Sequence, residues 1–199
     1  GAALVPLNWR LAEPELVRVV SDARVALLVC EARFAAVGRA VATSPWLDLD
    51  DATAALAGTC PAPRAAAGTE ALDAEAAALI LYTSGSTGKP KGAILSHRQL
   101  LFNALATTTG WQLDARDIGP VSTPFFHTGG WNVIAIPLWT VGGTVVLFDA
   151  FDPACFLDAL DEERVTIAFA VPTQFVMLCA QPTFGRALPD LRNFMSGGA

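Results

Sequence analysis

The sequence predicts an α/β fold in which layered sheets are flanked by helices. Short apolar runs alternate with helix-like segments through the second half of the chain, which is the pattern of a layered α/β domain. Hydrophobic residues make up 53% of the 199 residues and charged residues only 16%, a composition too apolar for a disordered chain. A chain of this length is therefore expected to fold around a sizeable apolar core.

In the first half, Pro14 fits the first turn of a helix, where its missing N–H has no helical partner in any case. The apolar run 25–30 then predicts a buried strand, and a helix over 31–41 follows. Residues 43–68 are rich in Ala, Pro and Gly. They predict an irregular connection, with a strand or turn near 46–49.

In the second half, Ser96 and Gln99 have the spacing of a capping box and predict a helix that runs to Thr108. Asp152 followed by Pro153 predicts another helix start. The remaining elements follow from apolar runs and turn residues: strands at 76–82, 92–95, 118–122, 144–148 and 165–170, and helices at 131–139 and 172–180.

One stretch, 118–148, contains no Asp, Glu, Lys or Arg and so raises the question of a membrane span. Asn132, Pro137 and the pair Gly142 and Gly143 interrupt it. The stretch is better interpreted as a buried helix, a glycine turn and a buried strand, so no integral membrane segment is expected.

Charge and cysteine usage narrow the class of protein. The net charge is −6 and the pI about 4.8, which argues against a general nucleic-acid surface. The four cysteines, Cys30, Cys60, Cys155 and Cys179, lie far apart without metal-ligand spacing. They are interpreted as buried free thiols in a reducing cytoplasm.

The strongest functional signal is the segment 81–92, which reads Leu-Tyr-Thr-Ser-Gly-Ser-Thr-Gly-Lys-Pro-Lys-Gly. Its glycines let the backbone approach a ligand closely, and successive N–H groups in such a loop form a nest for anions. Its hydroxyls can donate to phosphate oxygens, and its lysines add positive charge. The groups concerned are Thr83, Ser84, Gly85, Ser86, Thr87, Gly88, Lys89 and Lys91. The segment predicts a polyphosphate site with side-chain oxygens available to Mg²⁺.

The loop is not a Walker A motif. That motif has four residues between its glycines, whereas only Ser86 and Thr87 separate Gly85 from Gly88, and a proline follows Lys89. The segment after the loop also resembles a strand, so no helix N-terminus supplies the binding field. A bare Gly-Ser-Thr-Gly would be a flexible turn, but the full string with both lysines between two strands is far more specific.

This string closely resembles the signature of the AMP-binding, adenylate-forming superfamily, which includes acyl-CoA synthetases, luciferases and the adenylation domains of peptide synthetases. Every signature position matches. The resemblance implies that residues 83–91 hold the phosphates of ATP, that Thr83 helps to bind Mg²⁺, and that Lys89 is a candidate catalytic residue. It also implies that residues 1–199 are part of a large N-terminal domain.

Other segments extend the resemblance over nearly the whole chain and favour an acyl-CoA synthetase: 5–11, 123–131, 152–153, 171–173 and 196–199. The resemblance implies that His127, Trp131, Gly197, Gly198 and Ala199 shape a pocket for the acid. A lone His is more often a core residue, but the resemblance makes His127 a second candidate catalytic residue that positions or polarises the acyl carboxylate. Trp131 has packing as its simpler interpretation.

The family reaction implied by the resemblance joins a carboxylic acid, fatty or aromatic here, to AMP and then to a thiol, usually that of coenzyme A. The family also needs a Tyr-Gly-x-Thr-Glu string, a Thr-Gly-Asp string and a C-terminal domain with a lysine, none of which occurs in these 199 residues. The chain alone is therefore expected to be inactive, and to show exposed apolar surface or self-association such as a homodimer.

Two alternatives stay open at this point. An amino-acid adenylation domain would carry the same loop, although the uncharged pocket segment favours an apolar acid. A non-catalytic nucleotide-binding module that kept the loop belongs to a different class, and would lack the downstream Glu, Asp and Lys.

Overall fold

The computed structural model describes residues 2–49, 73–83 and 90–198. The chain divides into two compact units, Gly1–Ser96 and His97–Ala199. Most of the predicted irregular connection at 43–68 lies outside the described residues, as does the centre of the predicted phosphate loop, 84–89.

Within the residues that the structure describes, the first unit contains two helices and two pairs of strands. Its elements are α1 (Glu13–Asp22), β1 (Leu28–Cys30), a 3₁₀ turn (Ala32–Phe34), α2 (Ala35–Val41), β2 (Trp46–Asp48), β3 (Ala77–Thr83) and β4 (Lys91–Ser96). β1 pairs with β2 in parallel, and β3 pairs with β4 antiparallel. All six predicted elements of this unit are present, with changes at their ends. The strand predicted as buried at 25–30 is partly exposed, because the side chains of Leu27 and Val29 are exposed.

The largest change is in β1, which is shorter than the predicted strand at 25–30. Arg24, just beyond α1, has a φ of 49°, and the N–H of Val25 donates to Val20 O at 3.2 Å. Val25 therefore completes the C-terminal turn of α1. Buried side chains from both helices and β1 form the core of this unit: Leu16, Val20, Leu28 and Val41.

The second unit alternates strands with helices. Its elements are α3 (His97–Trp111), β5 (Ile118–Val121), a π-helix (Gly129–Ala135), α4 (Ile136–Val141), β6 (Thr144–Leu147), α5 (Pro153–Glu162), β7 (Ile167–Ala170), α6 (Pro172–Cys179) and β8 (Asn193–Ser196). The predicted strands and helices are confirmed to within a few residues. β8 was not predicted, and the predicted helix at 131–139 begins as a π-helix.

Strands in this unit pair in parallel, as their helical connections require. β5 pairs with β6, and β7 pairs with β8. β5 and β7 are linked near their N-terminal ends by a hydrogen bond from Thr166 N to Ile118 O at 2.9 Å. Near the other ends, Gln174, just beyond β7, donates to Ser122, just beyond β5, at 3.4 Å. The carboxyl ends of these strands therefore lie at one edge.

β7 is buried on both faces. Ile167 joins Ile134 and Leu138 of the helices on one side, whereas Ala168 and Ala170 join the cluster around Phe156 of α5 on the other. Burial on both faces is typical of parallel strands covered by helices. The predicted α/β class, with sheets flanked by helices, is confirmed.

At Gly119 in β5, side chains of the covering helix lie close to the strand backbone. A Cβ there would lie 2.9 Å from Ile134 Cγ2 and 2.9 Å from Leu138 Cδ1. We expect Gly119→Ala to destabilise the protein by about 1–3 kcal/mol because it overpacks the core. Gly110, near the end of α3, has nothing within 4 Å of the same added atom. Gly110→Ala is expected to stabilise by about 0.5–1 kcal/mol through helix propensity.

Thermal unfolding of the two variants checks this prediction, because the same chemical change should move the transition in opposite directions. A fall of equal size in both variants would contradict it.

The prediction that the cysteines are buried is wrong for the three that the structure describes. Cys30 is half-buried, whereas Cys155 and Cys179 are exposed, and all three are free. Both exposed cysteines lie near helix ends, in the first turn of α5 and at the last residue of α6. Cys60 lies outside the described residues.

The helix, glycine turn and strand predicted within 118–148 are present as α4, Gly142 with a φ of 81°, and β6. The strand is not buried as predicted, because Thr144 and Leu147 are exposed and Val145 and Val146 are only half-buried. Each helix in the described part of the chain is too short or too polar to cross a bilayer.

Exposed apolar surface, which the sequence predicted, is present in both units. In α3, Leu101, Phe102 and Leu105 are exposed, with Phe102 at 63%. In the first unit, an apolar groove of about 830 Å³ is lined by side chains that include Leu4 and Trp9. Whether this surface drives self-association stays a prediction.

Candidate functional site

The flanks of the predicted phosphate loop form the end of a β-hairpin. β3 ends at Thr83 and β4 begins at Lys91, and these two residues are partners across the ladder. Both side chains are exposed. The predicted strand after the loop is confirmed as β4. The other predicted loop ligands, Ser84, Gly85, Ser86, Thr87, Gly88 and Lys89, lie outside the described residues.

Tyr82, which sequence reasoning did not single out, connects the loop end of this hairpin to α1. Its hydroxyl donates to Asp22 Oδ2 at 2.5 Å. Its ring lies against Gly92, where a Cβ would come within 3.0 Å of the ring. Burial, together with the bond to Asp22, raises the pKa of Tyr82 to about 12, so the hydroxyl stays protonated at neutral pH. A tyrosine that ends an apolar strand was the available signal, because a partly buried hydroxyl needs a partner.

A small cavity of about 370 Å³ lies beside this bond and is lined by Asp22, Arg24 and Tyr82. It places the positive side chain of Arg24 and the negative side chain of Asp22 beside the hairpin. The cavity is part of the first unit, on the same strands that carry the predicted loop.

His127 lies in a turn just after β5. Its backbone N–H donates to Pro124 O at 3.0 Å, and its ring lies 4.7 Å from that of Phe126. Phe126 is buried, whereas the His127 side chain is exposed. The simpler alternative for His127, a core residue, does not agree with the structure, because the side chain is exposed. Its predicted role in the acid pocket stays a prediction.

Trp131 lies in the π-helix and is half-buried. Its indole N–H donates to Phe125 O. Its ring lies 4.5 Å from that of Phe125 and 6.5 Å from that of Trp139. Trp131 thus packs against the segment that carries His127, and the packing role proposed from sequence is present.

Gly197 and Gly198 follow β8 directly, and Gly198 has a φ of 77°, which favours glycine. Because β5, β7 and β8 run in parallel, the segment 123–131 and these glycines leave the strands at the same edge. In open α/β sheets, this carboxyl edge is where ligands bind. Ala199 lies outside the described residues.

Comparison with known proteins identifies the family to which the chain belongs. The model of the AMP-binding enzyme family matches residues 1–199. The chain belongs to this family. The predicted superfamily is therefore confirmed, and the fold of this AMP-binding chain agrees with it.

Among its curated relatives, a feruloyl-CoA synthase from an Amycolatopsis species is 36% identical over 200 residues, covering 100% of the chain and 40% of that protein. An indoleacetate–CoA ligase from Aromatoleum aromaticum is 37% identical over 212 residues, covering 99% of the chain and 40% of that protein. The AMP-binding chain thus spans about 40% of the length of these relatives.

The crystal structure of ATP-bound MatB from Rhodopseudomonas palustris is similar in fold, with a TM-score of 0.79 and 30% identity. The similarity covers 99% of the AMP-binding chain and 40% of that structure. The similarity includes the strands and helices that carry the predicted phosphate loop and the predicted acid-pocket segments.

Proposed function

We propose that the full-length protein is an acid–thiol ligase that activates a carboxylic acid with ATP and transfers the acyl group to coenzyme A. The observation that carries the proposal is the loop string 82–92, which joins two antiparallel strands in a chain of the AMP-binding family. The names of the relatives, which are CoA ligases for different acids, support the same reaction class.

The proposed reaction has two steps. A carboxylate oxygen attacks the α-phosphorus of ATP, the bond to the bridging oxygen breaks, and pyrophosphate leaves. The thiol sulfur of coenzyme A then attacks the acyl carbon, the bond to the adenylate oxygen breaks, and AMP leaves while the thiol proton passes to solvent. The protein mainly positions the reactants and neutralises charge.

Loop residues 83–91 would hold the β- and γ-phosphates, with Lys89 acting on the charge that develops during transfer. The Thr83 hydroxyl, exposed at the carboxyl end of β3, suits Mg²⁺, which takes oxygen ligands and keeps phosphates and waters among them. When bound, Mg²⁺ would neutralise phosphate charge.

The acid pocket would be formed by His127, Trp131 and the segment Gly197, Gly198 and Ala199. The segment 123–131 carries an exposed imidazole at His127 and a half-buried indole at Trp131, so it supplies one polar group and one apolar surface. This composition, with the absence of charged side chains in 118–148, favours an aromatic or fatty acid over an amino acid.

Residues 1–199 alone are proposed to be inactive, as part of an N-terminal domain whose catalytic partners lie elsewhere in the protein. The proposal rests on the family strings for the magnesium-binding Glu and the ribose-binding Asp, which do not occur in these residues. A cytoplasmic location and a homodimer are further proposals, and sizing chromatography with light scattering tests the dimer.

Acid-dependent ATP–pyrophosphate exchange by the full-length protein tests the function. We expect exchange that requires Mg²⁺ and an acid, with ferulate or indoleacetate more active than an amino acid such as phenylalanine. Exchange only with amino acids would favour an adenylation domain. A folded protein that binds ATP but shows no exchange with any acid would leave a nucleotide-binding module.

A further inference from the structure

The helix that carries Trp131 changes its hydrogen-bond pattern part-way along. Gly129–Ala135 is π-helical, and α4 continues from Ile136. In the π pattern a carbonyl accepts from the N–H five residues later, and the N–H of Ile136 does bond to Trp131 O. Turns of this kind are rare and frequently occur at functional sites.

Pro137 interrupts the pattern one residue further on. The next π-type bond would run from residue 137 to Asn132 O, but proline has no N–H. The alternative α-type donor to Asn132 O is Ile136, whose N–H is directed to Trp131 O. Asn132 O therefore lacks both of its helical donors, and a buried carbonyl without a donor costs about 1–3 kcal/mol.

Asn103 of α3 supplies the missing donor. Its Nδ2 donates to Asn132 O at 2.8 Å in a partly buried position. α3 packs against the π-helix and α4. The turn is thus completed by a side chain from a helix 29 positions earlier in the chain.

The side chain of Asn132 extends this connection toward the predicted acid pocket. Its Nδ2 donates to Thr128 Oγ1 at 2.8 Å, and Thr128 directly follows His127. Asn103 therefore holds Asn132 in place. The backbone of Asn132 belongs to the same π-helical turn as Trp131, and its side chain binds Thr128, the residue next to His127.

We propose that Asn103 is a positioning residue for the acid pocket: its hydrogen bond to Asn132 O holds the π-helical turn that presents Trp131. Without this donor, the turn relieves the unpaired carbonyl by changing its hydrogen-bond pattern, which rotates Trp131 about the helix axis. The inference rests on the proposed function, because it assigns Trp131 to the acid-binding wall. It predicts an effect on acid recognition that binding of ATP does not share.

Steady-state exchange by the full-length protein tests this, with ferulate as the probe acid and octanoate for comparison. We expect Asn103→Ala to raise KM for ferulate about ten-fold and to narrow the preference between the two acids, while KM for ATP changes less than about two-fold. Thr109→Ala, at an exposed position on the same helix, is the matched control. It should leave KM for ferulate, the preference between the two acids and KM for ATP unchanged.

Rescue provides the sharper test. Pro137→Ala restores an N–H at the position whose donor is missing, so the double variant Asn103→Ala, Pro137→Ala is expected to recover most of the affinity for ferulate. If Asn103→Ala alone does not fold, recovery of folded, active protein in the double variant supports the same inference, and continued unfolding overturns it.

The inference is overturned if KM for ATP rises together with KM for the acid, if Asn103→Ala behaves like wild type, or if Pro137→Ala gives no rescue. A wild-type protein without exchange would instead overturn the proposed function, and this inference with it.

Discussion

The full-length double variant Lys89→Ala, Lys91→Ala is expected to lose about 100- to 1000-fold of its acid-dependent exchange, since each preorganised positive group on a transferring phosphate contributes strongly in a site that excludes water. Lys91 is the exposed first residue of β4, opposite Thr83, and Lys89 lies two residues before it. The measurement is kcat/KM for ATP at saturating acid and Mg²⁺.

Removing two positive charges also makes an already acidic protein more negative, so the control must match that change. Arg18 on α1 is exposed, and the Arg116 side chain is 90% exposed. The variant Arg18→Ala, Arg116→Ala carries the same charge and is expected to keep wild-type exchange. Equal losses in the two variants would show a general electrostatic effect and contradict a local phosphate site.

Elements with local signals could be predicted closely from the sequence. The helix expected at Asp152 and Pro153 begins at Pro153, and the Asp152 carboxylate accepts from Cys155 N at 2.9 Å, as an N-cap does. β3 and β4 were likewise found from apolar runs around the loop. These features depend on a few consecutive residues, which is why one sequence suffices to predict them.

Features that depend on distant partners could not be predicted in this way. β8 is a strand because it pairs with β7, and its four residues carry no strong alternation of their own. The π-helix depends on Pro137 together with Asn103, and no local pattern joins those two residues.

The candidate site likewise combines features that have a local sequence signal with features that depend on distant residues. The family string predicted the hairpin loop, but the bond between Tyr82 and Asp22 joins residues 60 positions apart. His127 was predicted as a pocket residue from the family segment, and its exposure depends on the turn that follows β5. Short local strings in the sequence therefore predict candidate site residues, whereas the contacts that hold those residues involve distant partners that the sequence does not indicate.

Asp117→Asn is expected to destabilise the protein by about 2–4 kcal/mol, because it removes the charge of a buried carboxylate that accepts several hydrogen bonds. The Asp117 side chain is 6% exposed. Its Oδ1 accepts from Thr166 Oγ1 at 2.7 Å, and its Oδ2 accepts from Arg192 Nη2 at 2.7 Å and from Asp114 N at 2.8 Å. The amide of Asn has one oxygen and one NH₂ group, so the NH₂ group replaces one of the two accepting oxygens. It then faces hydrogen-bond donors that it cannot accept from.

Arg192 makes the cost larger, because it also binds the end of α3. Its guanidinium donates to Trp111 O at 3.0 Å and to Gln112 O at 3.1 Å, two carbonyls that the helix leaves unpaired. Asp117 thus orients a group that joins α3 to the start of β8. The unfolding temperature of Asp117→Asn is expected to fall by about 5–10 °C.

Asp114→Asn is the matched control. Asp114 pairs with Arg116 at 2.6 Å, a bond as short as that of Asp117, but the two side chains are 48% and 90% exposed. Exposed pairs contribute little to stability. The control should therefore unfold at the wild-type temperature, and an equal fall in both variants would contradict the role assigned to burial.

The pH dependence distinguishes the loss of this charge from general damage to the core. Burial by itself raises the pKa of Asp117, but the hydrogen bonds from Arg192, Thr166 and the Asp114 N–H outweigh it, so the pKa is lowered in the folded state. The stabilisation is then fully present above the unfolded pKa of about 3.9 and is lost as pH falls through the folded pKa. We expect the difference in unfolding temperature between wild type and Asp117→Asn to be constant from about pH 6 to 8 and to shrink below about pH 4. A difference that stays constant down to pH values near 3 would mean that the variant acts through packing and not through the lost carboxylate.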